Sequence, residues 1–335
     1  MAVTQTFRLF GSELSPYSVK VRSYLRYKGV PHDWTPRSAA NQAEFQKHAK
    51  LPLIPLVITP EGEGLQDSTP IIEHFEAKAS GPSIMPEDPA LAFLSALLEE
   101  YADEWGNKWM FHYRWSYPAD CWATAERIAL QMMGHQGPLA VAQARTAVAE
   151  RMKGRLGFVG SNPATRPVIE ASFKNALKIV DTILQSRPYL LGGRPAMADF
   201  GLWGQLYEMA TDPTPGAIIR SSAPMVMEWL QRMVRPKPEG PFHSLPEVMP
   251  DLLPLLKEEI GALFLPWSAA NAAAIQKGEK SFEVALAGAA WSQEPQKYHA
   301  RSLVEIRRKY AAAKGATGLD EVLTKADCLR WLTQS

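Results

Sequence analysis

Cysteine is nearly missing from this 335-residue chain. Only Cys121 and Cys328 occur, far apart and without the spacing of a metal site or a disulfide framework. A disulfide-stapled scaffold is thereby excluded, and a reducing compartment, the cytoplasm, is expected. An excess of one charge is missing too: 36 basic residues against 35 acidic ones leave a formal net charge of +1. No block of like charge offers a nucleic acid or an anionic membrane a footing, so neither partner is expected. No apolar run approaches the roughly 18 residues that cross a bilayer, and Met1 to Arg8 lack the charged start and apolar core of a leader segment. A soluble, unprocessed protein is expected. His112 has no second histidine at metal spacing, and no metal is expected.

What is present has order. The length is about twice that of a typical domain, which favours two domains with an appendage. Phe7 to Gly11 alternates as a strand does, and Tyr17, Val21, Tyr24 and Leu25 then recur at helical spacing up to Gly29. Val30 to Thr35 reads as a second strand, parallel to the first across that helix. A polar helix around Gln42 to His48 follows. Leu53 to Ile58, the turn Pro60 to Gly64 and Leu65-Gln66 make a hairpin, and Ser68, Thr69 and Pro70 open another helix. The pattern predicts an α/β domain over 1–85. From 90 to 240 the strand patterns give way to helical ones. Phe93, Leu97, Tyr101, Trp105 and Trp109 fall every four residues along one apolar stripe, and further helices are predicted at about 120–133, 139–155, 167–187, 198–210 and 223–235. Prolines crowd 236–250, after which 241–335 reads as a helical C-terminal extension. Phe264, Leu265, Trp267, Trp291 and Trp331 are too many large apolar groups for a disordered tail.

Three short elements carry chemistry. Ser15-Pro16-Tyr17-Ser18 ends the first strand and opens a helix, whose unpaired N–H groups and dipole favour an anion. Where thioredoxin-type redox folds hold Cys-x-x-Cys, serines stand here, which removes dithiol exchange and leaves hydroxyls. Taken alone, Ser15 also reads as a plain N-cap with Pro16 behind it. Ile54-Pro55 enters a strand. A cis bond there would turn the Ile54 backbone outward to pair with an extended peptide, whereas a trans bond would make an ordinary edge proline. Gln66-Asp67-Ser68 starts a third helix, where hydroxyl and amides can take a carboxylate and Asp67 an amino group, or simply form a turn and cap.

Taken in order, Ser-Pro-Tyr-x-x-Lys-Val-Arg at Ser15 to Arg22, Ile54-Pro55-Leu56 and Asp67-Ser68-x-x-Ile-Ile resemble the N-terminal domain of serine-type glutathione transferases, in particular the tau and phi classes. Leu190 to Phe200 is similar to the segment leading into the core helix of that family's C-terminal domain. The resemblance covers about 6 to 235. It implies a thioredoxin-like N-terminal domain followed by an all-α helical bundle, with glutathione as cosubstrate. It further implies Ser15 as the thiol-activating residue, a cis Ile54-Pro55 bond, and glutathione contacts from Ser15, Tyr17, Ile54, Pro55, Asp67 and Ser68. Two positions depart from the family. Ala196 stands where a Ser or Thr usually forms a capping box with the Asp at position 199, and Leu53 stands where a polar residue often helps hold the glycyl carboxylate, a task left to Lys50 or a residue elsewhere.

The acceptor pocket is expected on the long helix, with Trp105, Trp109, His112 and Tyr113 presenting an aromatic wall to a small apolar or aryl electrophile. Rival readings are a non-catalytic glutathione-transferase-like binding protein and a glutathione-dependent lyase or reductase. No cysteine precedes Cys121, which counts against the reductase. A homodimer between the first domain of one subunit and the helical domain of the other is expected, by the resemblance and because the long helix carries more apolar surface than one bundle needs. The extension is expected to narrow the acceptor pocket without contributing to the glutathione site.

Overall fold

In the computed structural model, which describes residues 6–333, Phe7–Gly11 forms β1 and Pro16–Tyr27 the helix α1. Met1 to Gln5, part of the segment behind the expectation of no leader, lie outside the described residues, as do Gln334 and Ser335. His32–Pro36 is β2, Gln42–His48 α2, Leu56–Ile58 β3, Gly64–Gln66 β4 and Ser68–Glu76 α3. The sheet order is β2-β1-β3-β4, with β1 parallel to β2 and antiparallel to β3. The crossover through α1 buries Val21, Tyr24 and Leu25 of the residues that recur at helical spacing, together with Val19, while Tyr17 is half-buried. The element order is the one expected from the sequence.

The helical part begins with α4 (Pro89–Tyr101) and α5 (Asn107–Ser116), joined by one π-helical stretch at Ala102–Gly106. A strict four-residue stripe drifts off one face of a 3.6-residue helix, and a wider π turn resets it. Phe93, Leu97, Tyr101, Trp105 and Trp109 are all buried as a result. Then come α6 (Pro118–Met133), α7 (Pro138–Lys153), α8 (Arg166–Ser186), α9 (Met197–Thr211), α10 (Pro213–Ser222) and α11 (Pro224–Arg232). Helix α10 falls where a break was expected, because Pro213 and Pro215 occupy its first turn, where no N–H partner is lost. At the start of α9, Asp199 accepts the Ala196 N–H at 2.9 Å, the Leu190 N–H at 2.9 Å and the Trp229 indole N–H at 3.1 Å. One carboxylate thus does the capping that Ala196 cannot share, and burial pushes its pKa up to about 6. Glycine at 204 lets α9 cross the mouth of α1: a Cβ there would lie 2.6 Å from the Pro16 carbonyl oxygen.

Beyond α11 the chain forms α12 (Leu245–Pro254), a π-helical turn at Leu255–Phe264 and α13 (Leu265–Lys277). The expectation of helices alone over 241–335 then fails, because β5 (Phe282–Leu286) and β6 (Ala289–Gln293) pair as an antiparallel hairpin. Its turn, Ala287-Gly288, has positive φ at both residues, 48° and 81°, the conformation of a tight two-residue hairpin. The chain closes with α14 (Ala300–Ala313), α15 (Leu319–Lys325) and α16 (Leu329–Thr333). Helix α14 lies along α4, burying Leu303, Ile306 and Tyr310, with the Tyr310 ring edge-on to Phe93 at 5.6 Å. It also reaches the sheet-bearing part, where the Lys309 ammonium pairs with Glu73 of α3 at 3.0 Å. Among the described residues no helix is long and apolar enough to cross a membrane.

Candidate functional site

The register of the sheet gathers the three sequence elements. Phe10 of β1 pairs with Leu56 of β3, and Leu56 with Gln66 of β4, so the end of β1, the start of β3 and the end of β4 share one edge of the sheet. Ser15, Ile54-Pro55 and Asp67-Ser68 therefore all open off that edge. The Ile54-Pro55 bond is cis, as expected. Pairing of β3 starts only at Leu56, so Ile54 takes no part in the ladder.

Ser15 is the N-cap of α1, in extended conformation, and its Oγ accepts the Ser18 N–H at 3.3 Å. That bond uses the oxygen as acceptor and leaves the hydroxyl proton to donate, beside the positive end of the helix. Tyr17 turns away from this edge, its hydroxyl donating to the Asp103 carbonyl at 2.9 Å, and burial with Glu104 and Asp103 nearby holds its pKa well above the usual phenol value. Ser18 is fully buried and its hydroxyl finds no partner, whereas the Ser15 hydroxyl is half-exposed at the mouth of α1.

At the second helix mouth, Asp67 is the N-cap of α3 with φ of 75°, yet its carboxylate does not cap the helix. It accepts instead from the hydroxyl of Tyr298, at 2.9 Å. The amides of Ser68 and Thr69 stay open, with Ser68 buried beside them. The extension, expected to narrow the acceptor pocket without contributing to the glutathione site, thus reaches one of the residues expected there. Lys50 is exposed, and only its backbone is fixed: Gln66 Oε1 accepts the N–H groups of Lys50 and Leu51, while Gln66 Nε2 donates to the carbonyls of Leu51 and Leu53. Gln66 thus pins the loop that delivers Ile54, a role with no signal in the sequence beyond its place before Asp67.

Two buried ion clusters fasten this edge to the helical part. Lys20 of α1 reaches Glu99 and, at 2.6 Å, Asp103, while Thr69 donates to Glu99. Burial disfavours the Lys20 ammonium, yet Asp103 and Glu99 hold its pKa above the ordinary lysine value. Burial also keeps Asp103 up at about 7 against the pull of Lys20. Arg114 of α5, itself buried, donates to Asp212 at 2.7 Å, to Glu208 at 2.8 Å and to the Leu14 carbonyl at 3.0 Å, one residue before Ser15.

The expected acceptor wall is not at this edge. Trp105 and Trp109 are fully buried, and both indole N–H groups donate to Ser172 Oγ, at 2.8 and 3.0 Å. Tyr113 is buried and stacks on the half-buried Tyr117 with ring centroids 5.2 Å apart. His112, also buried, bridges Ser161 at 2.7 Å and Glu170 at 3.2 Å. The stripe is core because the extension seals it: Trp267 and Trp291 pack on Trp105 at 5.9 and 5.4 Å. Trp105, Trp109, His112 and Tyr113 are structural here, and the aromatic count alone could not separate a pocket wall from a covered face.

Comparison with known proteins points one way. Residues 9–83 match the sequence model described as glutathione S-transferase, N-terminal domain, and residues 142–232 the one described as glutathione S-transferase, C-terminal domain. The chain is 25% identical over 232 residues to the isoprene-epoxide glutathione S-transferase of Rhodococcus sp., spanning 66% of this chain and 92% of that protein. It is 33% identical over 87 residues to glutathione S-transferase U9 of Arabidopsis thaliana, 24% of this chain and 35% of that one. Among solved structures, a glutathione-bound glutathione S-transferase of Methylobacillus flagellatus matches at 19% identity and a TM-score of 0.42, over 68% of this chain and 95% of that one. A tau-class enzyme of mango, Mangifera indica, matches at 20% and 0.41, over 68% and 87%.

Proposed function

Since the chain belongs to the glutathione S-transferase family, we propose that it binds glutathione at the sheet edge and transfers its thiolate to a small apolar or aryl electrophile, with Ser15 donating its hydroxyl proton to the sulfur. The observation that carries this reading is the convergence of Ser15, Ile54-Pro55 and Asp67-Ser68 at one edge through the Phe10, Leu56 and Gln66 register. In this reading the Ile54 backbone pairs with the cysteinyl unit, the Ser68 and Thr69 amides take the γ-glutamyl carboxylate, Asp67 takes the ammonium and Lys50 the glycyl carboxylate. Lowering a thiol pKa from about 8.5 to about 7 asks for roughly 2 kcal/mol, within reach of one hydroxyl at a helix mouth. An epoxide is the first electrophile to try, because the Rhodococcus relative is named for one.

Incubating the full chain with glutathione and either an epoxide or an activated aryl halide should consume glutathione well above the uncatalysed rate. Tight glutathione binding with no turnover across such a panel would instead support the non-catalytic binding protein, a reading favoured by the burial of Trp105, Trp109, His112 and Tyr113.

The surplus apolar face of the long helix, which motivated the expected homodimer, is taken up by the chain's own α14. That helix also reaches α3 of the sheet-bearing part through the Lys309–Glu73 pair. We therefore read the working unit as a single chain. Light scattering at micromolar concentration should give the monomer mass of 37.2 kDa, and a value near twice that would refute this reading.

A further inference from the structure

Resting on the glutathione reading, we propose that Tyr298 of the C-terminal extension is a positioning residue of the glutathione site, acting through Asp67. The two side chains are 231 residues apart in sequence and 2.9 Å apart in space. Tyr298 is delivered there by its neighbour. His299 is fully buried against the Trp267 ring at 4.4 Å, with Nε2 at 2.6 Å from Ser268 Oγ and Nδ1 at 3.0 Å from Glu104. With residue 299 locked in the core, residue 298 is held at the surface, its ring exposed and its hydroxyl on Asp67.

The consequence for Asp67 follows from where it sits. An aspartate at an N-cap ordinarily turns its carboxylate onto the first free amides of its own helix. At α3, where N3 is Pro70 and has no N–H, that leaves the Thr69 amide, which with the Ser68 amide beside it is what a ligand carboxylate would need. Tyr298 draws the carboxylate off the helix mouth by claiming Oδ2, which keeps those amides open and leaves Oδ1 free to accept from an ammonium. One hydrogen bond from the extension thereby prepares both halves of a receptor for an amino acid end, with cation and anion subsites side by side. The segment that covers the face of α4 also completes the site within one chain.

The experiment is a double-mutant cycle on the full chain with reduced glutathione as probe, using Tyr298→Phe, Asp67→Gly and both together. Glycine suits the positive φ at position 67, and phenylalanine keeps the ring of Tyr298. By calorimetry, Tyr298→Phe should raise the glutathione Kd about tenfold, the scale of one hydrogen bond to a charged group. Asp67→Gly should raise it at least as much, and the double variant should match Asp67→Gly alone. In turnover, Tyr298→Phe should raise KM for glutathione and leave kcat at saturation unchanged, a split that a general loss of packing would not produce. An unchanged or lower Kd in Tyr298→Phe, or effects that multiply in the double variant, would overturn the proposal while leaving the glutathione reading intact. A wild-type chain that does not bind glutathione would overturn that reading, and this one with it.

Discussion

Replacing Arg114 with alanine should cost about 3–5 kcal/mol of stability in urea denaturation, the scale of breaking a buried ion cluster from one side. Its guanidinium is shared between Asp212, Glu208 and the Leu14 carbonyl, and all three charged groups are buried. Without the cation, Glu208 and Asp212 lose their main compensation. Burial already raises the pKa of Glu208 to about 7 and that of Asp212 above its ordinary value, even with the arginine present. Adding Glu208→Gln and Asp212→Asn to the Arg114→Ala chain should recover part of the loss, since the uncompensated charges go with them. A cost below about 1 kcal/mol would mean that the cluster is solvated like a surface pair. The loop that ends at Ser15 hangs on the same guanidinium, so glutathione affinity should fall in Arg114→Ala under conditions where the chain remains folded.

Replacing Ser15 with alanine should lower kcat/KM for glutathione transfer about ten- to hundredfold near neutral pH, while glutathione affinity changes much less. In the proposed complex the hydroxyl would donate to a sulfur that carries full charge only as thiolate, so its loss would fall mainly on the ionised form, with a hydrogen bond to a charged group worth about 1.5–3 kcal/mol. Ser15→Ala also removes the cap on the Ser18 N–H, costing about 1 kcal/mol of stability. A Ser15→Thr variant keeps both the cap and a donor, and should retain most of the activity. Equal loss in Ser15→Thr and Ser15→Ala would locate the effect in the backbone of the loop and not in the hydroxyl.

Local chemistry made much of the sheet-bearing part legible: alternation in β1, helical recurrence in α1, and the Pro-Gly turn before β4 each specify their element within a few residues. The same holds for Ser15 as an N-cap and for the proline at the head of β3. What stayed hidden depends on contacts far apart in the chain. Nothing near Tyr298 marks it as a partner of Asp67, and nothing near Trp105 distinguishes a pocket wall from a face that Trp267 and Trp291 cover. The hairpin at 282–293 was missed because its turn is Ala287-Gly288, without the Asn-Gly or Asp-Gly pair that signals such a turn. Arg114 was visible only as one charge among aromatics, since Glu208 and Asp212 lie about a hundred residues downstream and meet it only in the folded chain.

The central claim is that Ser15 holds the thiol of bound glutathione as a thiolate. The most direct measurement is the ultraviolet thiolate absorbance of the glutathione complex titrated against pH in wild type, Ser15→Ala and Ser18→Ala. The thiol should titrate well below its free value in wild type, rise by roughly one to two pH units in Ser15→Ala, and stay at the wild-type value in Ser18→Ala, whose hydroxyl is buried away from the edge. A titration unmoved by Ser15→Ala, or no thiolate at neutral pH in the wild-type complex, would contradict it.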